Sequence, residues 1–472
     1  MNRLALGIDL GTTAIKAAVL DESGAIAASA SEPLALLALP GGLVEQDMCA
    51  LWGAAARAVK RAVGGLSPRR EVQALALSSQ GGTLILLDEA VAPLGNAISW
   101  MDTRPAALGA ALLCGHDDAF YYEKTGWGLR PGCLPLAQLI RLRTVGGGSV
   151  PRVRFVDSYV VEKLTGEAVT NPSDAAITML YNVRERRWDP ELLGLAGVDA
   201  AALPRIVPSG TVLGPIRPEA AAELGLSPEA IVVAGGHDQY CAAFGAGCRA
   251  AGDTTVSCGT AWVLLAMAAE PRFDAAARLA PAEALPPGLW GLLGSCSGMG
   301  AAADWFRHAV ASRPELSFEE LEAAAASVEP SPDAPVFLAP GSGGEGAFLG
   351  LAMHHTFGHL CRAVLEGPAL SLRALLSRMR AAGCAPAALK AVGGATRSHL
   401  WMQIVADASG LRLEVAGTQD VAAYGAARLA GEATGLIAPD APWPRPAAHV
   451  EPRPRQRAIY DALYQRFQEA RR

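Results

Sequence analysis

Hydrophobic and polar positions change period several times within the first ninety residues. Residues 4–9 (LALGID) and 15–21 (IKAAVLD) are short apolar runs separated by Gly-Thr-Thr, a pattern that predicts a hairpin. Residues 25–30 suit a third strand. Residues 47–63 then place apolar side chains at helical spacing behind Asp47, a residue suited to capping. Strand character returns at residues 72–77 and 84–88. Three strands, a helix and further strands predict an α/β fold with a mixed sheet and helices packed on it.

A similar order recurs later. Residues 231–234 read as a strand, followed by GGHD and a helical stretch over 239–246. Residues 254–258 and 262–267 read as two strands flanking a second Gly-Thr, in SCGTAWV. This repetition of strand, Gly-Thr, strand at 9–13 and 257–261 predicts two related halves that close on one ligand. Pro-rich stretches at 281–287 and 329–340 read as loops, and the tail from about Arg457 as a polar-faced terminal helix.

Composition narrows the classes. A chain of 472 residues suits two or three domains, and 40 basic against 46 acidic residues, net −6, are scattered throughout. No basic stripe points to nucleic acid and no basic amphipathic segment to a membrane surface. The nine cysteines form no C-x-x-C pair, which fits reduced thiols in the cytoplasm and argues against zinc. The longest apolar stretch, residues 261–269, is far short of a membrane span.

Candidate chemistry lies at the turns. In Asp9-Leu-Gly-Thr-Thr, Gly11 permits a tight turn with exposed N–H groups, Thr12 and Thr13 add hydroxyls, and Lys16 adds a cation. Together they suit phosphate oxygens, and Asp9 suits Mg²⁺; the alternative is a plain hairpin with locally satisfied side chains. Gly259-Thr260 mirrors this in the second half. Gly393-Gly394-Ala395, at a strand-to-helix turn, suits a flat ring or a phosphate, or else simply close packing. Asp238 follows a strand and precedes a helix: it is either a general base for a substrate hydroxyl or the helix N-cap. His355 and His359, four apart, lack the Glu of a metalloprotease pair, and the run 341–346 lacks the Lys-Ser/Thr ending of a phosphate loop.

Over nearly its whole length the chain resembles the FGGY family of carbohydrate kinases, within the actin-like ATPase superfamily. The C-terminal signature of that family is matched in GAFLGLAMHHTFGHLCRAVLE by Gly346, Phe348, Gly350, Leu351, His359, Leu360, Ala363, Val364, Leu365 and Glu366. Asp102-Thr-Arg104 after Trp100, Leu164-Thr-Gly166, Leu203-Pro204, GGHDQYCAAFGAG and GGATRSHLWMQIVADASG are also family-like. The general pattern is nearest to xylulose and other pentulose kinases.

The resemblance implies two actin-like (ribonuclease H-like) domains with mixed five-stranded sheets flanked by helices and a deep interdomain cleft. Residues 1–247 would carry the sugar side and first phosphate loop, and 248–472 the nucleotide side, with a terminal helix over about 457–472. It implies ATP and Mg²⁺, with Asp238 as catalytic base and Asp9 beside the metal, both carboxylates being candidate ligands. Gly11, Thr12, Thr13 and Lys16 match the first phosphate loop, and Gly259 and Thr260 the second. Gly300 and Asp304 fall where the nucleotide is contacted, and Gly394, Ala395 and Ser398 match the adenosine side. The sugar side would involve Gln80, Gly81, Trp100, Asp238 and Gln239. Members of such families are often dimers.

Departures concentrate at the substrate end. PLAQLIRL lacks the Lys and Trp that the N-terminal signature expects near residues 135–141. Where glycerol kinases carry Arg-Glu and xylulose kinases Met-His, this chain has Gly81-Gly82, and Gly132 stands where glycerol kinases place a Tyr. Loss of those polar contacts disfavours glycerol and suggests a larger sugar reaching into space left by the glycines. The expected reaction is ATP-dependent phosphorylation of a small sugar or polyol, a ketopentose such as xylulose or ribulose first, with gluconate, a deoxyketohexose or erythritol as alternatives. An ATP-driven conformational switch and an inactive sugar-binding protein are the rival functions.

Overall fold

The computed structural model describes residues 2–471 except 67–69, 129–132, 146–151, 260, 275, 277, 286, 297–298, 312, 314, 340–345 and 419. They form two compact units. The first comprises Met1–Arg249, Ala269–Leu292 and Asp420–Trp443, and the second Ala250–Ala268, Leu293–Gln419 and Pro444–Arg472.

The first unit is built on the predicted hairpin, Asn2–Leu10 with Ala14–Leu20. Its sheet runs Val212–Pro215, Ile231–His237, Arg70–Ser79, Asn2–Leu10, Ala14–Leu20, Ile26–Pro33. Leu6, Ile8, Leu75, Leu77 and Val232 are buried in the same core as the apolar face of helix Met48–Gly64. That helix starts where the sequence places it, because the Asp47 carboxylate accepts from the backbone N–H groups of Cys49 and Ala50. The sheet has six strands, against the five expected. Leu84–Leu87 leaves it for a separate sheet, between Ala97–Ile98 and Arg152–Phe155.

A linear boundary at residue 247 misses two later stretches of this unit, Ala269–Leu292 and Asp420–Trp443. Helix Val421–Ala433 packs on strands Asn2–Leu10 and Arg70–Ser79 and on helix Asp238–Gly245, although it comes from the far end of the chain.

The second unit repeats the plan. Thr254–Cys258 pairs antiparallel with Trp262–Ala268 and parallel with Ala388–Val392. The latter is parallel to Arg412–Val415, which is antiparallel to Ala448–Val450. Five strands of the first unit follow the same succession of directions, beginning with its own Gly-Thr hairpin. The terminal helix is Arg457–Glu469. Two stretches expected as loops contain strands, Ala280–Glu283 and Val336–Leu338. The first ends its sheet, where the missing N–H of Pro281 is tolerated. Among the described residues, no helix is long and apolar enough to cross a membrane.

Candidate active site

Sheet register assembles the first cluster. Asp9 lies level with Lys16 on one neighbouring strand and with Ser78 on the other, and Ser78 lies level with Gly236 on the next. Residues level across a sheet share a face, so a polar row crosses the strand ends. Asp9 is buried, and its Oδ1 accepts from Ser78 Oγ at 2.7 Å. Burial, and then repulsion from Asp238, push its carboxyl up to about 6, against the lowering effects of Ser78 and Lys16. Lys16 Nζ lies 3.5 Å from Asp420 Oδ1, just ahead of the helix Val421–Ala433.

Asp238 is the first residue of helix Asp238–Gly245, directly after strand Ile231–His237. The N-cap is His237, and no side chain caps the helix. The capping account of Asp238 is therefore excluded. Its side chain is 31% exposed, and the His237 imidazole lies 3.4 Å from its Oδ1. His237 is buried, its Nδ1 has no partner among the described residues, and desolvation holds its pKa below the usual value. Gln239 is half-buried beside Asp238 in the same first turn.

Gln80 joins the phosphate turn to the expected sugar side. Its Oε1 accepts from Thr12 Oγ1 at 3.0 Å, and Trp100 Nε1 donates to the same Thr12 oxygen at 3.0 Å. Gln46, which sequence reasoning passed over, is buried; it accepts from Gln80 Nε2 at 2.9 Å and donates to Thr12 O at 3.2 Å. Gly11 belongs to the same turn, and Thr13 is exposed. Behind Trp100, the buried Asp102 accepts from Val44 N, from Arg104 and from Gln138 Nε2. Gln138 lies in the atypical PLAQLIRL stretch, which here clamps the Asp102-Thr-Arg104 turn.

The glycine pair does not leave open space. A Cβ on Gly81 would lie 2.5 Å from His237 Cδ2 and 2.6 Å from Ile177 Cγ2. A Cβ on Gly82 would approach Leu134 and Trp100 at 3.3 Å. The expectation of room for a larger sugar at these positions is overturned, because side chains already on the wall fill it. Gly132 lies outside the described residues.

In the second unit, Gly259 sits in the turn between Thr254–Cys258 and Trp262–Ala268, and Thr260 lies outside the described residues. Gly300 and Asp304 share one face of helix Met299–Trp305, being four apart; Asp304 is exposed and pairs with Arg307 at 2.9 Å. Gly393 and Gly394 divide the two earlier readings. Gly393 has φ +98°, and a Cβ there would meet the Cys258 backbone at 2.9 Å, so close packing explains it. Gly394 is exposed beside the half-buried Ala395. Ser398 is buried, donates to Glu322 Oε1 at 2.7 Å and caps helix His399–Ser409 by accepting from Trp401 N.

Comparison with known proteins decides the family. The model of the FGGY family of carbohydrate kinases, N-terminal domain, matches residues 4–245, and that of its C-terminal domain matches residues 254–434. The chain belongs to the FGGY family of carbohydrate kinases. Xylulose kinase of Klebsiella pneumoniae is 31% identical, over 98% of this chain and 99% of the relative. Glycerol kinase of Gloeobacter violaceus is 33% identical, over 91% and 88%. The crystal structure of xylulose kinase from Rhodospirillum rubrum superposes with a TM-score of 0.88 at 28% identity, covering 99% of this chain and 98% of that one.

This FGGY kinase therefore uses ATP on a carbohydrate. Its signature helix, Phe357–Ala381, is structural around Glu366, which is buried with Arg362 and Tyr460. The Nδ1 atoms of His355 and His359 accept from Ala352 N and Thr356 N, and among the described residues no group of three or more His, Cys, Asp or Glu side chains is gathered as for a metal ion. Of the Gly-rich run 341–346, residues 341–345 lie outside the described residues. His237, Ser78 and Gln46 were the functional neighbours missed. Strand register reveals Ser78, the contact at Gly81 reveals His237, and hydrogen bonds to Gln80 and Thr12 reveal Gln46.

Proposed function

We propose that this kinase transfers the γ-phosphate of ATP to a hydroxyl of a ketopentose-class sugar, with Asp238 as general base. One observation carries the reading. Asp238 leads a helix without capping it, is partly open, and stands close enough to the buried Asp9 to raise its pKa. A partly exposed carboxylate that caps no helix, beside a second one, suits removal of a proton from an attacking hydroxyl. Xylulose kinases among the relatives support the sugar class, while glycerol kinases stand beside them. Absence of the Arg-Glu pair of glycerol kinases argues against glycerol.

Gly11, Thr12, Thr13, Lys16, Gly259, Thr260, Gly300, Asp304, Gly394 and Ala395 are the proposed ATP contacts. Gln80, Trp100 and Gln239 are the proposed sugar contacts. Ser398 would act mainly by fixing its loop, since its proton is committed to Glu322. The mutual repulsion of Asp9 and Asp238 fits a divalent cation, which would relieve it; both would hold Mg²⁺. When bound, that ion would neutralise charge on the phosphate oxygens. The chain's own part is to orient the hydroxyl, take its proton at Asp238 and exclude water. Buried free thiols at Cys241, Cys258 and Cys361 support a reducing, cytoplasmic setting.

The test is ADP release across ketopentoses, deoxyketohexoses, gluconate and polyols including glycerol. Turnover of xylulose or ribulose at the highest kcat/KM supports the reading. A best substrate outside the ketopentoses overturns the sugar class, and ATP hydrolysis unaffected by every sugar overturns the kinase.

A further inference from the structure

We infer that Gln80 holds the Thr12 hydroxyl away from the nucleotide until a sugar hydroxyl takes its place, so that sugar and ATP binding are coupled through this one side chain. The inference rests on the reading above, and deepens it. Its basis is a count of donors and acceptors around two buried amides, Gln46 and Gln80, beside the half-buried Thr12.

The orientation of both amides is fixed by the backbone. Gln80 Nε2 faces the acceptors Gly11 O at 3.4 Å and Gln46 Oε1 at 2.9 Å, so its Oε1 must be the atom turned toward Thr12. Gln46 Nε2 in turn faces Thr12 O at 3.2 Å, which orients that amide and makes Gln46 the positioning residue of the network. Gln80 Oε1 then accepts from two hydroxyls, Thr12 at 3.0 Å and Thr83 at 3.3 Å, which fills its two lone pairs.

Thr12 has one hydroxyl proton, and it points to Gln80. Trp100 Nε1 donates to the same oxygen. Phosphate oxygens only accept, so Thr12 can donate to a phosphate only by releasing Gln80. That release leaves a buried amide oxygen short of a donor, which is unfavourable. A sugar hydroxyl donating to Gln80 Oε1 restores the pair and frees Thr12. By linkage, nucleotide bound through Thr12 favours sugar to the same degree.

The test needs no sugar. The imido analogue of ATP with Mg²⁺ is titrated calorimetrically into the wild-type chain, Gln80→Met, Gln80→Asn, and each of these combined with Thr12→Val. Met keeps the length without an acceptor amide, and Asn withdraws the oxygen by one methylene, so either variant keeps the test open if the other fails to fold. The expected result is analogue binding about tenfold tighter than wild type in the Gln80 variants, the worth of one hydrogen bond to a charged group. That gain should vanish with Thr12→Val. Binding no tighter than wild type in the folded Gln80 variants, or a gain that survives Thr12→Val, overturns the inference. Failure of the kinase reading would appear separately, as no sugar phosphorylated by the wild-type chain.

Discussion

The His237 imidazole occupies the volume that a side chain on Gly81 would need, with Cδ2 and Nε2 lying 2.5 Å and 2.7 Å from an ideal Cβ there. The two residues come from different strands. His237 closes strand Ile231–His237, and Gly81 follows strand Arg70–Ser79 by one residue beyond Gln80. Because these strands are parallel neighbours with His237 level with Ser79, the ring falls over the glycine.

Gly81→Ala should accordingly destabilise the chain by about 1–3 kcal/mol, as overpacking does. His237→Ala should restore part of that loss in the double variant, read by denaturant midpoints, with the contact to Ile177 keeping the rest. A Gly81→Ala variant as stable as wild type would show that the ring moves aside freely.

Asp238→Asn should lower kcat by at least about a hundredfold, the lower end of what a general base contributes. Binding of the imido analogue of ATP should stay within about threefold of wild type. Substantial residual phosphorylation of the best sugar, measured by ADP release, would remove Asp238 from its proposed role.

Asp9 must be ionised to hold a cation, and its carboxyl is raised to about 6. The kcat/KM profile of the wild-type chain should therefore fall as pH drops through that region. Ser78 lowers this pKa through its hydrogen bond, so Ser78→Ala should move the acid limb to higher pH. An unmoved limb would show that another group governs it.

Asp157 is buried, with Thr170 Oγ1 on one oxygen and no partner among the described residues on the other. Burial raises its carboxyl from 3.8 to about 6. A raised folded-state pKa means that its contribution is fully present below pH 3.8 and is lost as pH climbs through about 6. Asp157→Asn should therefore flatten the decline of the unfolding temperature between about pH 4 and about pH 6 by about 2 °C or more. An unchanged decline would assign it to other groups, with the equally buried Asp174 the next to substitute.

Local chemistry was legible in the chain itself. The Gly-Thr hairpins, the Asp47 cap and the strand leading into Asp238 depend on neighbours a few residues apart, and all four appear where the spacing puts them. The duplicated strand plan follows from the same short-range signals. The roles of single residues were less legible. A capping Asp and a catalytic Asp look alike in sequence; only the observed cap at His237 separates them.

Tertiary structure alone decided what meets what. An amide at Gln46 carries no signal of its own until the turn at Thr12 folds against it. The glycines at 81 and 82 read as empty space, because a sequence shows the missing side chain but not the neighbour that fills the gap. Helix Val421–Ala433 joins the first unit although it is some four hundred residues from the strand it covers. Its small residues allow that approach: a Cβ on Gly7 would lie 1.9 Å from Ala423 O. The partner of its apolar face is fixed by shape complementarity between distant segments, which no local pattern encodes.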